Sequence, residues 1–474
     1  MSQDDMVRDR RDVLKLTGAA GTAGIAGLAG CLGGSGGGGG GSGNGSGGGN
    51  GSGGGNGSGG GNGSGGGGNY PSIGNFPVEG DTATFGFTVP LSGSYQEEGQ
   101  DELRAYKLAV KHLNNGGGWV NLWGDVSGNG VLGKQIDYVK GDTATDPDTA
   151  RNAARTMISQ DNVIMFTGGS SSAVAVALES LAQQEKVQYQ CCLTHSNATT
   201  GSDCRRYGFR EVFNAYHTAK ALVPPVTKAY GKNKKFFQMY ADYTWGQTVQ
   251  SSMKRFFEEA GWSQVASVPT ELGTSDFSTV LSEAQSSEAS VLFVVEYGLD
   301  GANALSQAQN MGLTEQMELV VPLYNQLVAD GAPKAIPGVY GTVAWDSEID
   351  NKPSRTFTKA FRNEYDRTPS GPAQLAYAQT FQYAAAAERA GTFYPPEVIK
   401  QLEGYQYDNA GMGKETMRKC DHQAQRKVPV AQGRPENKQQ PGNRLKVTDL
   451  VSRQDVVYPC DGGPAAECQL GSYE

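Results

Sequence analysis

Residues 163–182 read VIMFTGGSSSAVAVALESLA. Val163 to Thr167 is a short apolar run that fits a buried strand. Gly168 and Gly169 break it, Ser170, Ser171 and Ser172 complete a turn, and an Ala/Val/Leu helix follows. A buried strand that feeds a helix through a Gly/Ser turn is the repeating unit of a parallel sheet. The same alternation extends outward. Thr84 to Val89, Ile136 to Val139 and Val187 to Cys192 read as strands with helical patterns between them, the first carrying Leu103, Tyr106, Val110 and Leu113. The cycle restarts after Arg210. Lys235 to Tyr240, Val265 to Val268, Val291 to Val295 and Leu319 to Val321 form a second series, with helices near Gln247 to Ala260, Phe277 to Gln285 and Ala302 to Met311. Two consecutive series predict an α/β protein of two similar lobes, each a mostly parallel sheet flanked by helices.

The 474-residue chain begins differently. Arg10 and Arg11 precede a weakly apolar Gly/Ala stretch that ends in Leu28-Ala29-Gly30-Cys31. This pattern fits a twin-arginine export signal over 1–31 with a lipoprotein cleavage site, Cys31 being the lipidated residue. Residues 32–68 hold 26 Gly, 6 Ser, 4 Asn and 1 Leu, too little apolar surface for a core. We read 32–80 as a disordered tether; its 37-residue Gly-rich part would span about 30 to 37 Å as a flexible coil. The net charge of −9 is mild and argues against a nucleic-acid partner. After residue 31 no apolar run is long enough to cross a bilayer. With Cys31 set aside, six cysteines are left to pair in an exported protein. Cys460 and Cys468 bound a short loop through Asp461, Gly462, Gly463 and Pro464 and are the favoured bridge, with Cys204 to Cys420 second. Cys420 and His422 alone do not make a zinc site, and nothing calls for a metal or other cofactor.

Several stretches look alike in ensemble to one family. They are Pro90-Leu91-Ser92-Gly93, Gly141-Asp142-Thr143 with Asp146-Pro147, Gly168 to Ser172, Trp245-Gly246 and Asp276-Phe277. From about Thr82 to Arg426 the chain resembles the type I periplasmic binding proteins of ABC importers, closest to the Leu/Ile/Val-binding and amide- or urea-binding receptors. The signal and tether resemble those of halophilic archaeal lipoproteins. The resemblance implies lobe 1 from 81–212 and 343–404, and lobe 2 from 213–342 and 405–474, with a ligand cleft between them. It implies interlobe crossings near Phe209 to Asn214, Thr342 to Trp345 and Tyr405 to Asn409. It also implies a monomer on the outer face of the cytoplasmic membrane, partnered by permease subunits.

In open α/β sheets, ligands sit beyond the carboxyl ends of strands, where helix N-termini present free N–H groups. Ser170, Ser171 and Ser172 stand there and offer hydroxyls to a polar ligand group; a helix N-cap alone would account for one of them. The next strand end brings Thr194, His195 and Ser196. Ser92, Tyr95 and Glu98 belong to the first turn, while Trp245 and Tyr297 face from the second series. In the amino-acid receptors the residue after the proline of Val321-Pro322-Leu323 is a glutamate for the ligand ammonium, whereas here it is Leu323. Either Glu296 or Glu98 takes over, or the ligand is not an α-amino acid, since a buried ammonium needs a carboxylate. The expected ligand is a small solute of branched-chain amino acid, amide or urea type. Enzyme signatures are lacking: no nucleophile elbow, no phosphate loop and no paired zinc histidines. The alternative from another class is a secreted amidase using a serine of 170–172 with His195 as base.

Overall fold

The computed structural model describes residues 70–473. Five strands, β1 (Thr82–Val89), β2 (Gln135–Asp142), β3 (Met165–Gly169), β4 (Gln188–Cys192) and β5 (Gly208–Arg210), form one parallel sheet in the order β2-β1-β3-β4-β5. β3 and β4 are buried along their whole length, as central parallel strands covered on both faces must be. This is the first lobe.

The second lobe is a seven-stranded sheet. Its parallel part comprises β6 (Lys235–Ala241), β7 (Ser263–Thr270), β8 (Val291–Val295), β9 (Glu318–Tyr324) and β10 (Tyr340–Val343). After a small three-stranded sheet, β11 (Gln406–Tyr407), β12 (Glu415–Met417) and β13 (Ala424–Gln425), the chain adds β14 (Val428–Gly433) and β15 (Leu445–Val451) antiparallel at the edge. The order is β15-β14-β10-β9-β8-β6-β7.

Helix Gly371–Ala390 is buried almost all round and packs against helix Gln96–Asn115 in the core of the first lobe. With Ala at five of the seven positions from Ala384 to Ala390 and apolar residues on every face, it carries little periodicity, and the sequence patterning does not mark it. β14 and β15 are likewise unmarked. The other boundaries move by a few residues. β3 starts at Met165 and takes in Gly168 and Gly169, and the helix after β6 starts at Thr244, ahead of Gln247.

Three expectations are corrected. Residues 70–80 are not tether: Tyr70 stacks on Tyr394 at 4.5 Å and Phe76 meets the same ring edge-on. The Asn75 amide donates to the carbonyls of Ile158 and Val163. The aromatic rings, a type absent from 32–68, give the segment something to bury. The favoured Cys460–Cys468 bridge does not form. Cys204 pairs with Cys468 and Cys420 with Cys460, because residues 463–467 coil into a 3-10 helix that docks on Ala198–Thr200 and carries Cys468 to Cys204. The third passage between lobes lies at Gln425–Val428, not Tyr405–Asn409, since Gln423 still bridges Arg210 at the end of β5. Cys31 and the signal lie outside the described residues. No helix among the described residues is long and apolar enough to cross a membrane.

Candidate functional site

The strand ends of the two lobes face each other across a small cavity. The first lobe supplies Tyr95, Ser170, Ser172, Leu193 and His195; the second supplies Tyr243, Trp245, Tyr297 and Leu323. The lobes stand close, leaving 10 Å³ for a water centre, room for about one water.

Local backbone geometry aims the serines. Gly168 has φ +129°, and a Cβ there would lie 1.9 Å from the Thr88 carbonyl oxygen, so only glycine lets β3 turn at this point. Ser170 follows with φ +58°, a left-handed conformation uncommon for serine and typical of residues held for function. Its hydroxyl donates to Glu102 at 2.8 Å. Ser171 occupies the N-cap position of helix Ser172–Glu185, yet its hydroxyl makes no capping bond and, although buried, has no partner. The Ser172 hydroxyl accepts from the Ser196 N–H at 3.1 Å. The Thr194 hydroxyl and the Trp245 indole N–H are also buried without a hydrogen-bond partner, and the His195 ring, with only the Phe213 backbone beside it, keeps a nitrogen spare. A buried polar atom left unpaired costs about 1 to 3 kcal/mol. Four such residues around one cleft point to a ligand that satisfies them.

Direct bonds join the lobes. Tyr95 and Tyr243 share a hydroxyl–hydroxyl bond of 2.6 Å, Ser196 and Thr244 one of 2.8 Å, and the Asn325 amide donates to Glu98 at 3.0 Å. Asn325 also donates to the Tyr297 hydroxyl. Trp245 and Tyr297 meet edge-on at 6.2 Å, as do Tyr95 and Tyr297 at 5.6 Å, so three rings from both lobes wall one space.

The cavity lining holds neither lysine nor arginine nor a carboxylate. Carboxylates stand behind it. Burial pushes Glu98 up to about 7 and Glu102 up to about 8, against the hydrogen bonds from Asn325 and Ser170 that favour the ionised form. Burial also raises Glu296 strongly; this side chain accepts from Thr270. The His195 imidazole is 1% exposed, and burial together with the charge of Arg210 holds its pKa far below the ordinary value, so it is neutral. Among the described residues no group of three or more His, Cys, Asp or Glu side chains is placed to hold a metal.

The structure brings together Tyr95, Ser170, Ser172, His195, Trp245, Tyr297 and Leu323 from the sequence reading. His195 is no exposed loop histidine. Ser196 closes the lobe junction beside them, and Glu98 reaches the site through Asn325. Ser92 does not take part: it is exposed and donates to Asp142 at 2.8 Å, tying the first turn to β2. Sequence reasoning missed Leu193, Tyr243, Glu102 and Asn325. Glu102 was findable, one helical turn beyond Glu98 and on the same face. Tyr243 was findable as the aromatic two residues before Trp245.

A family model described as periplasmic binding protein matches residues 82–440. A Leu/Ile/Val-binding protein homolog of Brucella abortus (strain 2308) is 26% identical over 238 residues, 48% of this chain. The chain spans only 55% of that relative's own length. Two solved structures share the fold. An amino acid ABC transporter substrate-binding protein from Pseudomonas fluorescens Pf-5 superposes with a TM-score of 0.73 at 21% identity, over 83% of this chain and 100% of that one. A solute-binding protein of an ABC transporter from Rhodopseudomonas palustris BisB5, in complex with 3,4-dihydroxybenzoic acid, gives 0.68 at 19%, over 78% and 97%.

Proposed function

The chain belongs to the periplasmic binding protein family, and from that premise we propose that it is the solute receptor of an ABC importer. It binds a small polar organic solute between its lobes and delivers it to permease subunits. The observation that carries this reading is the cavity walled by rings of both lobes, with spare buried polar atoms on Ser171, Thr194, His195 and Trp245. A solute that pairs with atoms of both lobes favours the closed arrangement by its differential contacts.

The solute class follows from the lining. Leu323 stands in the wall, and the nearest carboxyls, Glu98 and Glu102, are held toward the neutral form by burial. That environment suits a neutral amide or urea-type solute, or a branched-chain amino acid whose ammonium draws Glu98 into its ionised form. The names of the Leu/Ile/Val-binding relatives and of the amino acid receptor from Pseudomonas fluorescens support the same range. Twin-arginine export, lipidation at Cys31 and residence of a monomer on the outer face of the cytoplasmic membrane complete the reading.

An amidase needs a serine hydroxyl paired with its base. Ser170 donates to Glu102, Ser172 accepts from Ser196, the Ser171 hydroxyl has no partner, and no bond joins any of the three to His195, so the geometry favours binding. A thermal-shift screen of amino acids, urea and short amides on wild type and Trp245→Ala tests the proposal. A solute that stabilises wild type and not the variant is expected. Stabilisation of both to the same degree would remove the site from the cleft.

A further inference from the structure

Arg210 ends β5 and is fully buried, yet among the described residues it makes no ion pair. Every bond of its guanidinium goes to a neutral oxygen. Nε donates to the Gln423 side-chain carbonyl at 2.8 Å, Nη1 to the Thr194 carbonyl at 3.0 Å and to the Ser196 carbonyl, and Nη2 to the Thr200 hydroxyl. The acids that act on it are committed elsewhere. Asp421 is paired with Arg418, and burial pushes Glu179 up to about 8, which holds it toward the protonated form at neutral pH. A buried cation without a carboxylate partner is costly, and the planar fork of arginine suits it to gather several oxygens at once.

The oxygens it gathers belong to the loop that walls the cleft. Between the two carbonyls on Nη1 stands His195, whose own carbonyl accepts from the Ala215 N–H at 2.7 Å. All three carbonyls of Thr194, His195 and Ser196 are thus engaged within the protein, while the His195 ring lines the cavity. The Ser196 N–H donates to Ser172, another lining residue. The charge reaches this wall: burial, then Arg210 and after it Arg426, hold the His195 ring neutral. Arg426 faces two carboxyls, Glu211 at 3.5 Å and Glu415 at 3.7 Å, whereas Arg210 faces none. Around the same cavity stand the phenols of Tyr95, Tyr243 and Tyr297, which burial keeps protonated.

We infer that Arg210 is a positioning and specificity-determining residue of the receptor: its guanidinium clamps the 194–200 loop, and its unpaired charge makes the first-lobe wall take the oxygen end of a solute and turn away an ammonium. In a cavity nearly free of water a fixed charge is weakly screened, so a wall without a charged lining residue still discriminates by charge. The inference rests on the receptor reading and deepens it, since it says which end of the solute this wall receives.

Three probes separate charge from fit. Isovalerate, isovaleramide and isoamylamine carry the same isobutyl group with an anionic, a neutral and a cationic end. Their affinities are compared by calorimetry at neutral pH in wild type, Arg210→Gln, Arg210→Met and Arg210→Lys. In the two neutral variants the affinity ratio of isovalerate to isovaleramide should fall about tenfold, the order expected of one charge acting through a partly screened medium, and isoamylamine should gain on both. Arg210→Lys keeps the charge and gives up the fork, so it should keep the ratio. Weakening of all three probes by one factor in the neutral variants would overturn the specificity role. The clamp is read without solute: amide exchange of peptides covering 193–200 should quicken about tenfold in the neutral variants, as for the loss of two hydrogen bonds, while helix Gly371–Ala390 keeps its rate. Unchanged exchange at 193–200 would overturn the clamp. Loosening of helix Gly371–Ala390 in both neutral variants would overturn the assignment equally, since Arg210 would then serve the fold as a whole. Failure of all three probes to bind wild type would count against the receptor reading with its solute range and not against the clamp, which exchange decides by itself.

Discussion

Asn325 and Glu98 face each other from opposite lobes, and the Asn325 amide donates to the buried Glu98 carboxyl at 3.0 Å. Glu98 lies on helix Gln96–Asn115, one turn before Glu102, and each side chain has one oxygen bonded and one buried without a partner. Two neighbouring carboxyls out of water favour the protonated form of both.

The consequence for stability has a definite sign. In the unfolded chain both groups titrate near 4.5, whereas in the folded protein they titrate near 7 and 8. Between those values the folded state holds protons that the unfolded state has lost, so stability falls as pH rises from about 4.5 to 8 and then levels. The size is on the order of 3 kcal/mol for Glu98 and about 5 kcal/mol for Glu102. Denaturant titrations at pH 5, 6.5 and 8 should show this decline, and Glu98→Gln with Glu102→Gln should make it shallower, leaving the share of Glu179, Glu296 and Glu415, whose carboxyls burial also raises. An unchanged slope in the double variant would assign the pH dependence to other groups.

The parallel series of both lobes was legible because each strand is a short apolar run and each turn contains Gly, Ser or an aromatic at the strand end. Ser170 stood out on that logic, whereas Trp245 and Tyr297 rested also on the family resemblance of the strand-to-helix turn at Trp245-Gly246. Helix Gly371–Ala390 was not legible as an element, since burial on all sides erases the periodicity that marks a half-exposed helix. Asn325 had no local signal either: its importance arises from a contact with Glu98 across 227 positions of sequence. The disulfides failed for the same reason. Cys204 and Cys468 are 264 positions apart, and only the path of the tail brings them together.

The anchor is tested in the cell. Because Cys31 follows Leu28-Ala29-Gly30, Cys31→Ser should shift the protein from the membrane fraction to the medium. Retention of the variant on membranes would remove the lipid anchor from the proposal.

The serine cluster separates binding from catalysis. Ser171 contributes no cap to its helix, so Ser171→Ala should leave the melting temperature within about 2 °C, as for a change near 0.5 kcal/mol in a protein of this size. Solute binding should weaken by about 0.5 to 1.5 kcal/mol, the ordinary worth of one hydrogen bond. Solute recovered after long incubation should be chemically intact. Turnover that disappears in Ser170→Ala or Ser172→Ala would favour the amidase.

The charge of the solute is the last question, and the wall at Leu323 frames it. No lining residue carries a charge, and Glu98 is neutral over much of the range below pH 7. A solute ammonium placed near Glu98 would have to expel that proton, so its binding would release protons at pH 6 and tighten up to about pH 8. A neutral amide or urea-type solute needs no such exchange: its carbonyl accepts from the Trp245 indole N–H or the Ser171 hydroxyl, both without a partner in the protein, while its apolar part rests on Trp245 and Tyr297. We expect such a solute to compete at least equally with leucine, to bind without net proton release, and to lose about 1 to 3 kcal/mol in Trp245→Ala through lost apolar burial. Calorimetry in two buffers of different ionisation enthalpy measures the proton count directly. Tight leucine binding that releases a proton and collapses in Glu98→Gln would show instead that Glu98 has replaced the glutamate absent at position 323.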